Sequence, residues 1–580
     1  MSSHHYQAKD VQEAHDRVFK PGRTPPKQQL PPGKTAEQLQ EILQALAAIV
    51  GHDNVGSGEA LLHFSDPFTV EESSFPSAAV CPATVQEIKA ILEYANRADF
   101  PLWTTSRGKN LGYGGPSPRV KGSVVLSLHR MNGIIEVNEK AAYAVVEPGV
   151  TFFDLYNYCR EHKLSLWPSV PAIAWGSVIG NTLDRGFGYT ALGDHQNNIC
   201  GLEALLPDGT LVRTGQWAVD KSPSRFACKA GFGPQLDGLF LQSNMGVVTK
   251  MGLWIQPQPE TTMTLCLELP RVEDLEHLVD IVAELRRDDI LQNDPSLFDV
   301  FRAISRLGPR HQVYSGSGAI PDETVKRLMR EQGLAWWKTW FSLYGKRDMV
   351  LSRLASIQQA VKDKCPTARL GHKLFEAGHQ RVDATSVEPE WQPMNAGVPS
   401  LSYAATIDYN TRPGGYGGHM DFSPILPLDG ALALEWYNEA RLISRRHGFD
   451  SFLGGHAFSK HLVLVHMIMF DRLDAEQVAR AKELWLALAT RAREFGFASY
   501  RTHLDWMDYV QDCYSFNDNA QRRFLEHLKD STDPNGILSP GKSGIWPNRY
   551  RHLRADGSRQ TGADGSRQEQ TRLDKSKDSR

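Results

Sequence analysis

The stretch Pro101-Leu-Trp-Thr-Thr-Ser-Arg-Gly-Lys-Asn-Leu-Gly-Tyr-Gly-Gly115 constrains this chain more than any other part of it. It follows a segment in which Ile88, Ile91, Leu92 and Ala95 share one helix face, opened by Thr84-x-x-Glu87. Gly108, Gly112, Gly114 and Gly115 let a backbone take positive φ and come close to a ligand. Successive N–H groups in such a loop make a concave site for anions, phosphate above all. The same letters also suit a plain surface turn. The loop has neither the G-x-G-x-x-G spacing of a dinucleotide fold nor the Walker spacing with Lys before Ser or Thr.

Composition removes several classes of function. At 580 residues the chain is long enough for several domain-sized units. A net charge of −3 with 23% charged residues leaves no basic footprint for nucleic acid. No run of 18 apolar residues is present, so no membrane span is expected. Met1 to Gln12 is polar and lacks the apolar core of a secretory signal. The seven cysteines are scattered and never form C-x-x-C, which argues for reduced thiols and against a zinc site. The last residues, Lys577-Asp-Ser-Arg580, are not the Ser-Lys-Leu address. The expectation is an intracellular protein, cytoplasmic or peroxisomal.

Read in order, residues 1–34 are polar and proline-rich and are expected to be an arm, partly disordered. Thr35-x-x-Gln38 is a capping box for a helix with Leu39, Ile42, Leu43 and Leu46 on one face, closed by Gly51. Short β-rich runs at 122–128, 133–137 and 142–147 predict strands, and 152–162 a helix. Residues 201–206 and 210–213 predict a hairpin turning at Pro207-Asp-Gly209. Alternating helices and hairpins indicate an α+β domain over 35–257. Gln256-Pro-Gln-Pro-Glu260 marks a change of composition and a domain boundary. Beyond it come a helix through Leu275, Leu278, Val282 and Leu285, a strand at 462–469 and a long helix at 475–495. Residues 551–580 carry Ala-Asp-Gly-Ser-Arg-Gln twice and read as a disordered tail.

Ser106-Arg-Gly-Lys-Asn-Leu-Gly-Tyr-Gly-Gly115 resembles the pyrophosphate loop of the vanillyl-alcohol oxidase family of FAD-linked oxidases. The resemblance continues in family order through Gly176-Ser-Val-Ile-Gly-Asn181, Arg185-Gly-Phe-Gly-Tyr189, Gly193-Asp-His195 and Gln242-Ser-Asn-Met-Gly-Val-Val-Thr-Lys250. It ends with Tyr500-Arg-Thr-His503 and Asp533-Pro-Asn-Gly-Ile-Leu-Ser-Pro-Gly-Lys-Ser-Gly-Ile-Trp-Pro547. It implies an α+β fold: an FAD-binding domain (35–257), an α+β substrate cap (258–499) and a return to the FAD domain (500–547). For the cofactor it implies Ser106, Arg107, Gly108, Lys109, Asn110, Gly112, Gly114 and Gly115 around the pyrophosphate. Gly176, Ser177, Gly180, Asn181, Tyr189, Gly246, Val247, Arg501 and Lys542 complete the FAD contacts. His419 matches the histidine that the family bonds to the flavin 8α-methyl group, so FAD is expected with that covalent link as an option.

The implied activity is oxidation of para-substituted phenols: 4-hydroxybenzyl alcohols, 4-alkylphenols or 4-allylphenols. Hydride leaves the benzylic carbon for flavin N5 through a quinone methide, and O2 reoxidises the flavin to give H2O2. A phenol has a pKa of about 10, so the site must favour its anion with hydrogen bonds and positive charge. The family uses two tyrosines and an arginine, which match Tyr113, Tyr500 and Arg501. Two positions depart from the pattern. Phe68 stands after Asp66-Pro67, where the family has an activating histidine, with His63 displaced. Ala172 replaces an aspartate assigned to base chemistry on the quinone methide and to flavin attachment. Either the substrate's intermediate is handled differently, or the acid has moved, or the chain is weak on the usual substrates. Asp421 is the candidate for a moved acid, because residues two apart on a strand share a face and would point it with His419. His456 and His466 are further candidates for the cap side. A dehydrogenase passing electrons to a cytochrome or quinone, a hydroxy-acid or sugar oxidase, and a flavin-binding protein impaired by Ala172 are the other readings. The Tyr113, Tyr500 and Arg501 trio speaks against the hydroxy-acid or sugar reading. Expected partners are the phenol and O2, with a homodimer or larger assembly, and neither nucleic acid nor membrane.

Overall fold

The computed structural model describes Glu13, Asp16, Val18 and residues 27–68, 75–378 and 380–554. The repeated hexapeptide and most of the expected arm lie outside the described residues. Val18, from that arm, is buried, and its carbonyl accepts from Arg472.

The local rules place the first helix well. Thr35 and Gln38 exchange side-chain and backbone bonds as a full capping box for Ala36–Val50, and Leu39, Ile42 and Leu46 are buried. Helix Val85–Ala98 starts differently. Thr84 accepts from the Glu87 N–H, but the Glu87 carboxylate reaches one residue further back, to the N–H of Ala83. These two helices cover a four-stranded sheet in the order Val55–Gly56, Ala78–Val80, Val124–Ser127, Leu102–Thr105, whose last three strands are parallel. Strand Leu102–Thr105 delivers the chain into the glycine-rich loop.

A five-stranded antiparallel sheet follows, ordered Ile134–Asn138, Tyr143–Val146, Val247–Trp254, Ile199–Leu205, Leu211–Arg213. The expected hairpin is its last pair, turned by Gly209 at φ +84°. Past Ile255 the chain changes sheets. Gln256–Pro257 pairs with Leu166–Trp167, and Thr261–Leu269 enters an eight-stranded antiparallel sheet. Seven of its strands run in the order Arg369–Glu376, Thr261–Leu269, Trp337–Gly345, Ser296–Asp299, Leu453–Ala457, His461–Asp471, Gly417–Phe422. Helices Asp274–Arg287, Arg347–Lys364, Gly430–Arg446 and Ala475–Glu494 bury apolar faces against it.

The last segment is tied back to the first sheet. The Leu102 N–H donates to Ile537 O at 2.7 Å, and the Ser539 N–H donates to Leu102 O at 2.8 Å. Lys529, fully buried beside Asp533, donates to the carbonyls of Asn244 and Leu538. In the same segment the Tyr500 N–H donates to Ser423 O, and Arg501 reaches Asn110 of the glycine-rich loop.

Candidate active site

A cavity of about 380 Å³ lies between the glycine-rich loop, residues 171–189 and the strand Gly417–Phe422. One end is cationic. Arg107 and Lys109 both line it. Burial, then the charge of Arg107, brings the Lys109 ammonium down to about 7. Burial also lowers Arg107, against the pull of Asp154. Two half-buried basic groups side by side suit a doubly charged anion.

The loop conformation is forced by what it touches. At Gly112, φ is +80°, and a Cβ would lie 2.6 Å from His419 Nε2. Ser177 caps the short helix Val178–Leu183 by accepting from the Gly180 N–H, and donates to Pro148 O. A Cβ on Gly180 would meet the Ser106 hydroxyl at 2.3 Å, so this helix closes directly on the loop. Ser106, Gly108, Asn110, Gly115, Gly176, Ser177, Gly180, Asn181, Tyr189 and Gly246 all line the cavity. Gly114 instead packs on Leu504. Strand alternation sends the Val247 side chain into the core beside Leu205, while its neighbour Val248 lines the cavity. Asn181 Oδ1 pairs with His195 Nδ1 at 2.7 Å, and burial holds that imidazole neutral, its pKa lowered to about 3.

Tyr113, Tyr500 and Arg501 meet. The Arg501 guanidinium carbon is 4.1 Å from the Tyr113 ring centre and 5.9 Å from that of Tyr500. Burial, with Tyr500 and Asp421 nearby, raises the Tyr113 hydroxyl well above its ordinary pKa. Burial likewise raises Tyr500, against the pull of Arg501. Both hydroxyls therefore keep their protons and can donate. Burial alone would depress Arg501, but Tyr500, Tyr113 and Asp184 outweigh it and raise its pKa. Arg501 also donates to Asn110 Oδ1. Asn110 donates to Asp184 at 2.9 Å, and Lys542 pairs with the other Asp184 oxygen at 2.9 Å. No short-range pattern pointed to Asp184, although it follows Asn181 by less than one turn.

Gly417–Phe422 is a strand, and His419 and Asp421 do share a face. His419 Nε2 lies 3.5 Å from Asp421 Oδ2. His419 Nδ1 and Asp421 Oδ1 are buried without hydrogen-bond partners. Both residues line the cavity, as does Ala172. The Phe68 ring packs edge-on to the His419 ring, centres 5.2 Å apart. Asp66 is held by His503 at 3.0 Å. His456 lines the cavity, whereas His466 accepts from Trp436 Nε1 in the core.

Comparison with known proteins agrees with this geometry. Residues 76–215 match the FAD binding domain, and residues 409–543 match the C-terminal domain of FAD linked oxidases. The flavoprotein subunit of 4-cresol dehydrogenase (hydroxylating) from Pseudomonas putida is 32% identical over 522 residues, which cover 89% of this chain and 97% of that protein. The chain belongs to the vanillyl-alcohol oxidase and p-cresol methylhydroxylase family. Two solved members of the family superpose with a TM-score of 0.84. They are 4-ethylphenol oxidase from Gulosibacter chungangensis in its isoeugenol complex (33% identical, 90% of this chain and 100% of that one) and p-cresol methylhydroxylase with substrate bound (29% identical, 91% and 100%).

The family cofactor is FAD, and the residues present fit it. The half-buried Arg107 and Lys109 suit a pyrophosphate, and the glycines at 112 and 180 let the loop close tightly on His419 and on Ser106 around the cavity. The α+β architecture is that of the family.

Proposed function

We propose that this flavoprotein oxidises para-substituted phenols at the benzylic carbon, with O2 as the final acceptor. The observation that carries the reading is the convergence of two protonated tyrosines and one guanidinium on the cavity wall. Tyr113 and Tyr500 donate to the substrate oxygen and Arg501 supplies a fixed positive charge, so the phenol binds as its anion. Groups already oriented in a dry site need no reorganisation as charge shifts during the reaction. Bound FAD supplies the hydride acceptor at N5. The names of the relatives, 4-cresol dehydrogenase and 4-ethylphenol oxidase, support a 4-alkylphenol substrate. In this reading residues 258–499 cap the substrate over the FAD-binding domain.

Asp421 takes the part of the carboxylate missing at Ala172. Its free oxygen faces the same cavity, and it can remove a proton from the water that adds to the oxidised benzylic carbon. With Phe68 beside His419, Asp421 is also the carboxylate placed to deprotonate that histidine for flavin attachment.

Mixing the yellow protein anaerobically with 4-ethylphenol or vanillyl alcohol, then admitting air, tests the reading. Bleaching and fast recovery are expected. Bleaching with slow recovery would assign the dehydrogenase alternative, and no bleaching with any phenol would overturn the proposal. Acid precipitation of the same sample should leave the colour in the pellet if His419 holds the flavin.

A further inference from the structure

The cavity has a second polar end. Phe298, Tyr189, Tyr403 and His456 line it. Against Tyr403 lies Arg302, on the short helix Val300–Ile304, its guanidinium carbon 4.0 Å from the ring centre. Arg302 is only 7% exposed, and its Nε has no hydrogen-bond partner. The groups that favour its charge are the phenols of Tyr403 and Tyr189, and no carboxylate is among them. Asp299, the closest acid in sequence, accepts from the Phe301 N–H at 3.1 Å. Burial raises that carboxyl above the usual range, and it forms no ion pair with Arg302. Arg306, exposed, adds a second positive charge on this side.

A buried cation with no anion costs folding free energy, and such groups are ordinarily paired. Here the two ends are joined by a row of rings: Tyr500 to Phe187 at 6.0 Å, Phe187 to His456 at 4.1 Å, and His456 to Tyr189 at 4.9 Å. Burial keeps His456 neutral, with its pKa lowered to about 3, so the row itself carries no charge. Tyrosines line both ends, and at the second end the Arg302 guanidinium stands just behind Tyr403, outside the cavity wall, so the slot fits a rod-shaped molecule with an oxygen anion at each end. We propose that the Tyr189, Tyr403 and Arg302 end binds a carboxylate carried on the para side chain of the phenol. The preferred substrates are then 4-hydroxyphenyl alkanoic acids rather than neutral 4-alkylphenols. Tyr189 and Tyr403 supply the hydroxyls that meet the carboxylate, and Arg302 behind Tyr403 supplies the positive charge. The inference rests on the phenol reading and narrows its substrate class.

The test compares anaerobic flavin reduction by 4-propylphenol and by 3-(4-hydroxyphenyl)propanoate in the holoenzyme. The acid should reach half-maximal reduction rate at a concentration about tenfold lower, or less still. Arg302→Gln should collapse that ratio, and Arg302→Lys should keep part of it. Tyr403→Phe serves if Arg302→Gln does not fold, and should also narrow the ratio. Reduction by both phenols without preference for the acid, or a ratio unmoved by Arg302→Gln, overturns the inference and leaves the phenol reading standing. If neither compound reduces the flavin, the phenol reading fails. Binding of 3-phenylpropanoate, followed by its perturbation of the flavin absorbance, then decides the anion site. Binding weakened in Arg302→Gln supports the site, and no binding overturns it.

Discussion

Two tyrosine–arginine clusters adjoin one cavity, Arg501 in its wall and Arg302 behind Tyr403, and they differ in how the arginine is compensated. Arg501 stands over Tyr113 and Tyr500 but is linked through Asn110 to the Asp184 carboxylate, which Lys542 also holds. Arg302 stands over Tyr403, and among the described residues no carboxylate pairs with it. The first cluster carries its own counterion and is built as a fixed unit before any ligand arrives. The second is incomplete in charge. Both clusters are read as binding an oxygen anion; the first is held in position beforehand through Asn110 and Asp184, and the second has no such link.

The largest effect should come from the compensated cluster. Arg501→Met removes the only positive charge among the trio, and flavin reduction by 4-ethylphenol should slow about 10³-fold. A loss below tenfold in stopped-flow reduction would break the contrast at its strong end. The same pair of sites predicts opposite effects on folding. Arg501→Met strips a partner from Asn110 and should cost about 1–3 kcal/mol. Arg302→Met replaces an unpaired buried charge with an apolar chain and should leave the unfolding midpoint unchanged or higher. Denaturant titration of the two holoenzymes checks both. A clear loss of stability in Arg302→Met would show that its charge is compensated after all.

Asp421 sharpens the comparison from the other side, as the carboxylate nearest the reacting end that is not spent on Arg501. Asp421→Ala should lower steady-state turnover about 10²-fold. Unchanged turnover would mean that the missing aspartate at Ala172 has no successor on this strand.

The two clusters were not equally legible in the sequence. Tyr113, Tyr500 and Arg501 sit in blocks that resemble a known family, and the strand spacing of His419 and Asp421 predicted a shared face that the structure has. Thr35 and Gln38 specify their cap through contacts three residues apart. Tyr189 closes a block that carries the resemblance, but there as a cofactor contact; Arg302 and Tyr403 offer no such signal. They are single letters on two short helices, Val300–Ile304 and Ser402–Asp408, brought together only by folding, and neither spacing nor composition marks them. Asp184 escaped for the same reason, because its partners Asn110 and Lys542 lie far away in the chain.

A third buried cation, His503, extends the comparison to pH. It has two carboxylates, Asp66 at 3.0 Å and Asp505 at 3.3 Å. Burial pushes its pKa down, but Asp505 and Asp66 outweigh burial and raise it to about 10. An unfolded histidine titrates at about 6.5. The folded state therefore binds the proton more tightly, and the stability this contributes is complete below about pH 6.5. It is lost progressively as the pH rises through about 10. His503 is two residues from Arg501 and its partner Asp66 packs on Gly115, so the pair ties the glycine-rich loop to the segment that carries Tyr500 and Arg501. Unfolding free energy should fall between pH 7 and 10 in the wild type, and His503→Gln should be less stable at pH 6 but show a shallower fall. If the variant keeps the full slope, the imidazolium is not what joins these segments. If the slope disappears, a doubly compensated cation is a structural clamp here, in contrast to the uncompensated Arg302, whose anion must come with the substrate.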